Sequence, residues 1–276
     1  MSPGVQPFRK IANRAISLLH PAAESEQDRL ALTMPVSPLN SDTYLVAFPK
    51  SGVTWLSFLL ANVNLLLSGD RQRRATFFNI NDLIPDIHVS RNLGQPATPA
   101  PGFRIIKSHS GYHPGYTKVL LLVRHPLHVM ASYYAYSTGL KQFSGTIDEM
   151  VEHPDFGIGA WVRHAAGWLD RARPEISFRL LRYEDLRAQP HDHLRVFYSL
   201  WGFELSEEMI SAAVERSNLR AMAGNWEQYN ESHPARVGFE FVRKRDDGEP
   251  RTPMSESVRI RISEAARPIA ERLGYA

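Results

Sequence analysis

An apolar run that breaks abruptly into a polar loop most constrains the fold of this 276-residue chain. Residues 43–48 (TYLVAF) have the β-rich apolar character of a strand buried on both faces of a parallel sheet. Residues 49–53 (PKSGV) interrupt the run, and residues 54–67 carry the pattern of a helix that stops at Ser68. This segment predicts a strand, a tight loop and a helix in succession.

The remainder of the chain repeats the alternation of strands and helices. Further strands are predicted at residues 103–107, 118–123 and 176–181. Helices are predicted at residues 127–137, 161–172, 190–200, 207–216 and 255–273, the last with Ser255 as its cap. Three stretches have no clear period and are predicted to be largely irregular: residues 71–102, which are also predicted to contain a short helix, 139–159 and 225–253. The alternation favours a single α/β domain with a central parallel β-sheet flanked by helices.

Composition excludes several kinds of protein. The chain has no cysteine, which excludes disulfides, thiolate metal sites and a catalytic thiol, and fits a reducing, cytoplasmic setting. A net charge of only +3 does not indicate a nucleic-acid partner. The longest apolar run, residues 55–67, is too short to cross a bilayer. Residues 1–20 are basic and apolar, so they predict either a helix that packs on its own domain, which we favour, or weak contact with a membrane surface.

The loop after the first strand has the features of an anion site. Backbone N–H groups at the start of a helix bind anions, and Gly52 allows the backbone to approach a ligand closely. Lys50 adds a positive charge, while Ser51 and Thr54 add hydroxyl donors. The spacing is not that of a Walker A loop, because the Gly-x4-Gly-Lys-Ser/Thr pattern is missing. The loop alone predicts phosphate binding only weakly.

Two further polar motifs follow the next two strands. Lys107 and His109 are two residues apart, so in an extended chain they point to the same side, and a neutral histidine can accept a proton from a hydroxyl. Arg124 ends a buried strand and needs an anionic partner, either a carboxylate or a bound phosphate, and Ser132 follows on the next helix. Ligands of parallel sheets lie beyond the carboxyl ends of the strands, so we expect all three motifs to form one site.

Together these segments resemble the sulfotransferases that use 3′-phosphoadenosine-5′-phosphosulfate (PAPS). The family's PKSGTTW is PKSGVTW here, its KTH is KSH, and its R-N-P-x-D-x-x-x-S-Y-Y is RHPLHVMASYY at residues 124–134. Residues 181–185 (LRYED) and 241–250 (FVRKRDDGEP) resemble two further family elements. The resemblance covers residues 43–274. It implies a sulfotransferase domain at residues 41–276 with a P-loop-like phosphosulfate-binding loop, after an N-terminal helical or extended segment at residues 1–40.

The resemblance also implies roles for individual residues. His109 is the implied general base, with Lys50 on the leaving oxygen and Lys107 as a second cation at the transferring group. Trp55 and Tyr183 are implied to contact adenine. The remaining implied donor-binding residues cradle the 5′-phosphosulfate or hold the 3′-phosphate; they are Lys50, Ser51, Gly52, Val53 and Thr54 for the first group, and Arg124, Ser132, Arg243 and Lys244 for the second. No metal is expected.

Three departures from the family pattern affect these assignments. Val53 replaces a threonine, so one hydroxyl donor is lost. Arg245 and Pro250 stand where the family has glycine and tryptophan, which leaves open the course of the late loop. An alternative alignment would place Arg236, rather than Arg243 and Lys244, on the 3′-phosphate. We prefer the latter pair because Gly248 and the following helix then fall at the family spacing.

The implied activity is transfer of a sulfuryl group from PAPS to an acceptor hydroxyl, leaving 3′-phosphoadenosine 5′-phosphate (PAP). The sequence does not identify the acceptor: a carbohydrate, a lipid-linked glycan and a small alcohol or phenol all remain open, as does the oligomeric state. Two alternatives are a P-loop-type nucleotide-dependent kinase, for which the Walker spacing is missing, and a non-catalytic nucleotide-binding protein, which would need no base such as His109.

Overall fold

Four parallel strands form the centre of the molecule. The computed structural model describes residues 32–93, 103–171, 176–232 and 252–275. Within these residues the sheet has the order β2-β1-β3-β4, with β1 next to both β2 and β3. The strands are β1 (Thr43–Ala47), β2 (Ile105–Ser108), β3 (Lys118–Val123) and β4 (Ser177–Arg182). The predicted α/β class and parallel sheet are confirmed.

Helices follow the strands and cover both faces of the sheet. In chain order they are α1 (Val53–Leu67), α2 (Ile80–Leu83), α3 (Pro126–Gly139), α4 (Ile147–Val151), α5 (Ile158–Arg171), α6 (Tyr183–Ala188), α7 (Pro190–Leu200), α8 (Glu207–Arg216), α9 (Leu219–Glu231) and α10 (Glu256–Arg272). Ser255 caps α10 as predicted, since its side chain accepts a hydrogen bond from the backbone N–H of Val258.

The core lies on the two faces of the sheet because neighbouring strand residues point in opposite directions. Leu45 and Leu120 belong to the cluster beneath α1, α7, α8 and α9. Val46 and Leu121 belong to the opposite cluster, beneath α3, α5 and α10. Burial on both faces explains why β1 and β3 are almost continuously apolar in sequence.

A buried ion pair fixes the start of β1 against β2. The Arg104 guanidinium donates from Nε to Asp42 Oδ1 and from Nη2 to Asp42 Oδ2, each at 2.8 Å. Both side chains are buried, and the two-point geometry satisfies each charge. This pair lies directly before the first residues of β1 and β2, at the edge of the sheet opposite to the carboxyl ends of the strands, which the three polar motifs follow.

Three helices lie where the sequence analysis predicted irregular structure or a strand end. α4 starts at a capping box in which Thr146 and Glu149 satisfy each other's backbone N–H groups. α6 begins at Tyr183, in a segment predicted to be a strand end, because Glu184 and Asp185 favour a helix N-terminus there. The third is α9, which occupies part of the stretch predicted to be irregular at residues 225–253.

Some predictions fall outside the described part of the chain. These concern the basic segment at residues 1–20 and the late-loop residues Arg236, Arg243 and Lys244. Among the helices that the structure does describe, none is both long enough and apolar enough to cross a membrane.

Candidate active site

The loop between β1 and α1 has a left-handed backbone at two positions. Lys50 has φ 71° and Gly52, the N-cap of α1, has φ 94°. A Cβ atom built on Gly52 would lie 2.3 Å from Cδ2 of Tyr183, far inside contact distance. The Tyr183 ring therefore packs directly on the loop backbone, and this contact together with the positive φ requires glycine.

Ser51 contributes a buried hydroxyl to the same loop. Its side chain is fully buried, and its Oγ has no hydrogen-bond partner among the described residues. A buried polar group without a partner is unfavourable, so the hydroxyl fits a site completed by a ligand oxygen. Val53 is buried in the core cluster beneath α1, whereas Thr54 is partly exposed.

Lys50 lies over helix α3. Its Nζ is 4.0 Å from the centroid of the Tyr136 ring, which is a cation–π contact. Tyr136 lies one turn after Ser132 on α3, and residues four apart share a face of a helix. The loop lysine and the predicted 3′-phosphate serine are thus brought to the same helix face.

Arg124 follows the last residue of β3 and reaches the loop. Its Nη1 donates to the Lys50 carbonyl oxygen at 3.4 Å, and its guanidinium carbon is 4.6 Å from the Tyr183 ring centroid. Within the described ranges no carboxylate pairs with Arg124, and its buried Nε has no hydrogen-bond partner there. A guanidinium with an unused donor fits an anionic ligand group. Ser132, on the following helix, is buried.

Glu184 fixes the turn that presents Arg124, a role that the sequence analysis missed. The backbone N–H of His125 donates to Glu184 Oε1 at 3.0 Å, and the Tyr275 hydroxyl donates to Oε2 at 2.7 Å. Burial lowers the pKa of His125, an effect that Glu184 opposes. The carboxylate at the start of α6 thereby ties together the end of β3, α6 and the C-terminal part of the described chain.

The two residues predicted at adenine lie side by side. The rings of Trp55 and Tyr183 are 5.8 Å apart with an interplanar angle of 72°. Trp55 Nε1 donates to the carbonyl oxygen of Ser217 at 3.0 Å, which fixes the indole. The two rings thus form an edge-to-face pair, of which Tyr183 packs on the loop backbone.

One hydrogen bond fixes the ring of His109 and another fixes its backbone. Its Nδ1 is 2.7 Å from the Ala47 carbonyl oxygen, which can only accept, so Nδ1 carries the proton and Nε2 carries the lone pair. Its backbone N–H donates to Nε2 of His88 at 2.8 Å. Burial, together with the charge of Lys107, lowers the pKa of His109 to about 3, which keeps the ring neutral at pH 7.

Lys107 is paired with a buried carboxylate that the sequence analysis did not single out. Lys107 Nζ lies 2.8 Å from Oδ2 of Asp86. Burial alone would raise the pKa of Asp86, but Lys107, with His88 and His109, holds that pKa well below its usual range. Asp86 is therefore a carboxylate at pH 7.

The three motifs meet at the carboxyl ends of β1, β2 and β3, as the sequence analysis predicts. His109 bonds to the last residue of β1, and Arg124 bonds to the loop after β1. The site combines buried donors without partners, at Ser51 and Arg124, with a neutral imidazole. Such a set fits an anionic ligand next to a hydroxyl that loses a proton. In the part of the chain that the structure describes, no three histidine or acidic side chains are grouped as metal ligands.

Comparison with known proteins decides the family. The model of the sulfotransferase domain matches residues 40–273 of this chain. The chain belongs to the sulfotransferase family. Human sulfotransferase 4A1 is 29% identical to this chain over 188 residues, covering 61% of each chain. Mouse sulfotransferase 1B1 is 26% identical over 203 residues, covering 67% of this chain and 66% of its own. The matched region thus spans about three fifths to two thirds of these relatives.

Solved structures share the fold of this chain. A retinol dehydratase in complex with androsterone and PAP matches with a TM-score of 0.62 at 16% identity, covering 95% of this chain and 86% of its own. Mouse sulfotransferase SULT7A1 complexed with PAP matches with a TM-score of 0.62 at 19% identity, covering 91% and 95% respectively. At these identities the likeness establishes the fold.

Proposed function

We propose that this protein transfers a sulfuryl group from PAPS to the hydroxyl of a small molecule. The observation that carries the proposal is the meeting of two partly unpartnered buried donors with a neutral histidine at one edge of the sheet. Family membership and the PAP bound to the related solved proteins support it.

The donor is held by groups around the β1–α1 loop in this proposal. Backbone N–H groups at the start of α1, with Ser51 Oγ and the partly exposed Thr54, bind the 5′-phosphosulfate. Arg124 and Ser132 bind the 3′-phosphate, and Arg243 and Lys244 from outside the described residues join them. Gly52 and Val53 supply backbone. Trp55 and Tyr183 contact the adenine ring.

His109 acts as the general base. Because Nδ1 is committed to the Ala47 carbonyl, Nε2 is the atom that accepts the proton of the acceptor hydroxyl. The new oxygen–sulfur bond forms as the bond between sulfur and the bridging phosphate oxygen breaks, and the electron pair of that bond leaves with PAP. A bound anionic donor raises the proton affinity of His109 above that of the free protein, since nearby negative charge favours the imidazolium.

Lys50 and Lys107 offset the negative charge of the transfer. Lys50 leaves its contact with Tyr136 to stabilise the departing phosphate oxygen, helped by the loop N–H groups. We assign Lys107, two residues before the base, to the negative charge that develops on the transferring group. PAPS supplies the activated sulfuryl group, and these side chains supply the base and the charge stabilisation.

The acceptor class that we propose is a small alcohol or phenol. Related solved proteins carry androsterone or retinol, which are small hydroxyl-bearing molecules. Sulfation of a carbohydrate, a cytoplasmic location and the division into residues 1–40 and 41–276 stay predictions.

Calorimetry with matched nucleotides tests the donor site. We expect PAP to bind at least about tenfold more tightly than adenosine 5′-phosphate, because a hydrogen bond to a charged group is worth roughly 1.5–3 kcal/mol.

Transfer of labelled sulfate from PAPS to 4-nitrophenol then tests the chemistry. His109→Gln should lower turnover by about 10² or more, while His191→Gln on α7 retains it. Equal affinity for both nucleotides, or a preference for ADP, would contradict the donor assignment; PAP binding without transfer would leave a nucleotide-binding protein.

A further inference from the structure

A short segment at the outer edge of β2 contacts both ionisable residues of the KSH motif. Asp86 forms a parallel bridge with Lys107, in which Lys107 N donates to the Pro85 carbonyl at 2.8 Å and Ile87 N donates to the Lys107 carbonyl at 3.0 Å. The segment thus runs beside β2 like one further, very short strand. It lies in the stretch predicted to be irregular.

The pairing places a second pair of polar side chains opposite the first. Asp86 faces Lys107, and two residues further on, His88 accepts the backbone N–H of His109. The chain turns directly after Asp86, where the backbone N–H of Val89 donates to the Asp86 carbonyl oxygen at 2.9 Å, and this turn brings His88 to the backbone of His109. One segment therefore contacts both the proposed second cation and the proposed base.

The Asp86 carboxylate is fully engaged. Oδ2 accepts from Lys107 Nζ at 2.8 Å, and Oδ1 accepts from the backbone N–H of His88 at 2.9 Å. Asp86 is 2% exposed, and the Lys107 side chain is 18% exposed. A charge pair with so little solvent around it has a strong field, and removal of one partner leaves the other uncompensated.

We propose that Asp86 is a positioning residue for the proposed transfer: it holds Lys107 in place and balances its charge beside His109. The inference rests on the proposed function. When His109 accepts the acceptor proton it becomes a second cation close to Lys107, and the negative charge of Asp86 offsets this repulsion. The same negative charge opposes the anionic donor, so Asp86 weakens donor binding while it assists the chemical step.

The opposite signs of the two effects make the proposal testable. Asp86→Asn keeps the shape and removes the charge. It should bind PAP about threefold or more tightly, because one negative charge near an anion site is lost. It should also lower turnover with PAPS by about tenfold, measured as transfer of labelled sulfate to 4-nitrophenol and to water. A residue that only supports the fold would weaken binding and turnover together. Asp82→Asn, at an exposed position on α2, should change neither.

The outcomes separate this inference from the proposed function. If Asp86→Asn binds PAP no more tightly than the unmodified protein, or retains full turnover, the inference is overturned while the donor assignment stands. If the unmodified protein does not bind PAP, the proposed function fails and the inference fails with it. If Asp86→Asn does not fold, Lys107→Gln and the double variant Asp86→Asn/Lys107→Gln decide: the double variant must bind PAP more tightly than Lys107→Gln, and equal affinity overturns the inference.

Discussion

At Gly52 the backbone conformation and a neighbouring ring impose the same requirement. The residue has φ 94°, and a side chain there would meet the ring of Tyr183 at 2.3 Å. Gly69 has a similar φ of 82°, but a Cβ atom there would meet nothing within 4 Å. At both positions any other residue would have a strained backbone, but only at Gly52 would its side chain also collide with a neighbouring ring.

This difference yields a prediction for alanine at each position. Gly69→Ala should destabilise the fold by about 1–2 kcal/mol through backbone strain alone. Gly52→Ala should destabilise it further and weaken PAP binding by about tenfold or more, because Tyr183 must move away from the loop. Urea unfolding and calorimetry measure the two effects. Equal stability and unchanged PAP affinity in both variants would show that the Tyr183 contact has no influence on the loop.

Residue-level prediction from the sequence succeeded where the signal is local. The loop at Lys50 and the strand-end position of His109 are recognisable because a polar motif follows an apolar run directly. Asp86 and His88 were not recognisable, since their significance depends on a pairing with residues 21 positions later. Their role could be recognised only once the two segments were known to be adjacent.

Among the elements, α3 connects the two ends of the proposed donor site. It carries Ser132 and, one turn later, Tyr136 beneath Lys50. It also carries Ser137, whose hydroxyl is buried and donates to the Tyr133 carbonyl at 2.8 Å within the helix. Of the two buried serines on this helix, Ser137 therefore hydrogen-bonds to the helix backbone, whereas Ser132 is the one assigned to a ligand.

We therefore expect Ser132→Ala and Ser137→Ala to behave differently. Ser132→Ala should reduce the preference for PAP over adenosine 5′-phosphate by about tenfold, because a hydrogen bond to a charged group is lost. Ser137→Ala should leave that preference unchanged, since its hydroxyl bonds to the helix backbone. Calorimetry with both nucleotides measures the ratio. A loss of preference in both variants, or in neither, would contradict the assignment of Ser132 to the 3′-phosphate.

Elements were predictable in proportion to the length of their pattern. The long apolar helix α1 and the buried strand β3 were identified because burial makes them almost continuously apolar. α4 and α6 were not, because helices of five and six residues depend on caps and first-turn charges rather than on periodicity. α9 was not recognised because many of its residues are polar. Its three buried residues, Met222, Trp226 and Tyr229, nevertheless have the spacing of four and three that is typical of a helix.

In the whole molecule, one of the two core faces of the sheet contains a buried histidine close to the β1–α1 loop. His164 of α5 is buried in the face that also contains α3 and α10, with its ring 5.8 Å from Phe48, the residue before the loop. Burial lowers the pKa of His164 to about 4, although a hydrogen bond to the backbone of Ser110 opposes the effect. Its Nε2 has no hydrogen-bond partner in the described part of the structure.

This buried histidine makes the stability of the whole fold depend on pH. In the unfolded chain the pKa of a histidine is about 6.5, so between about pH 6.5 and 4 the unfolded state binds a proton that the folded state does not. The contribution of this group to the free energy of unfolding is therefore complete above pH 6.5 and falls as the pH is lowered, by up to about 1.4 kcal/mol per pH unit.

Urea unfolding of the unmodified protein and of His164→Gln should give curves of stability against pH whose slopes differ by about 1 kcal/mol per pH unit in this window. His191→Gln controls for the loss of a histidine elsewhere. Parallel curves for the unmodified protein and His164→Gln would show that the buried imidazole takes up its proton without unfolding, and that the acid sensitivity of the fold arises at other groups.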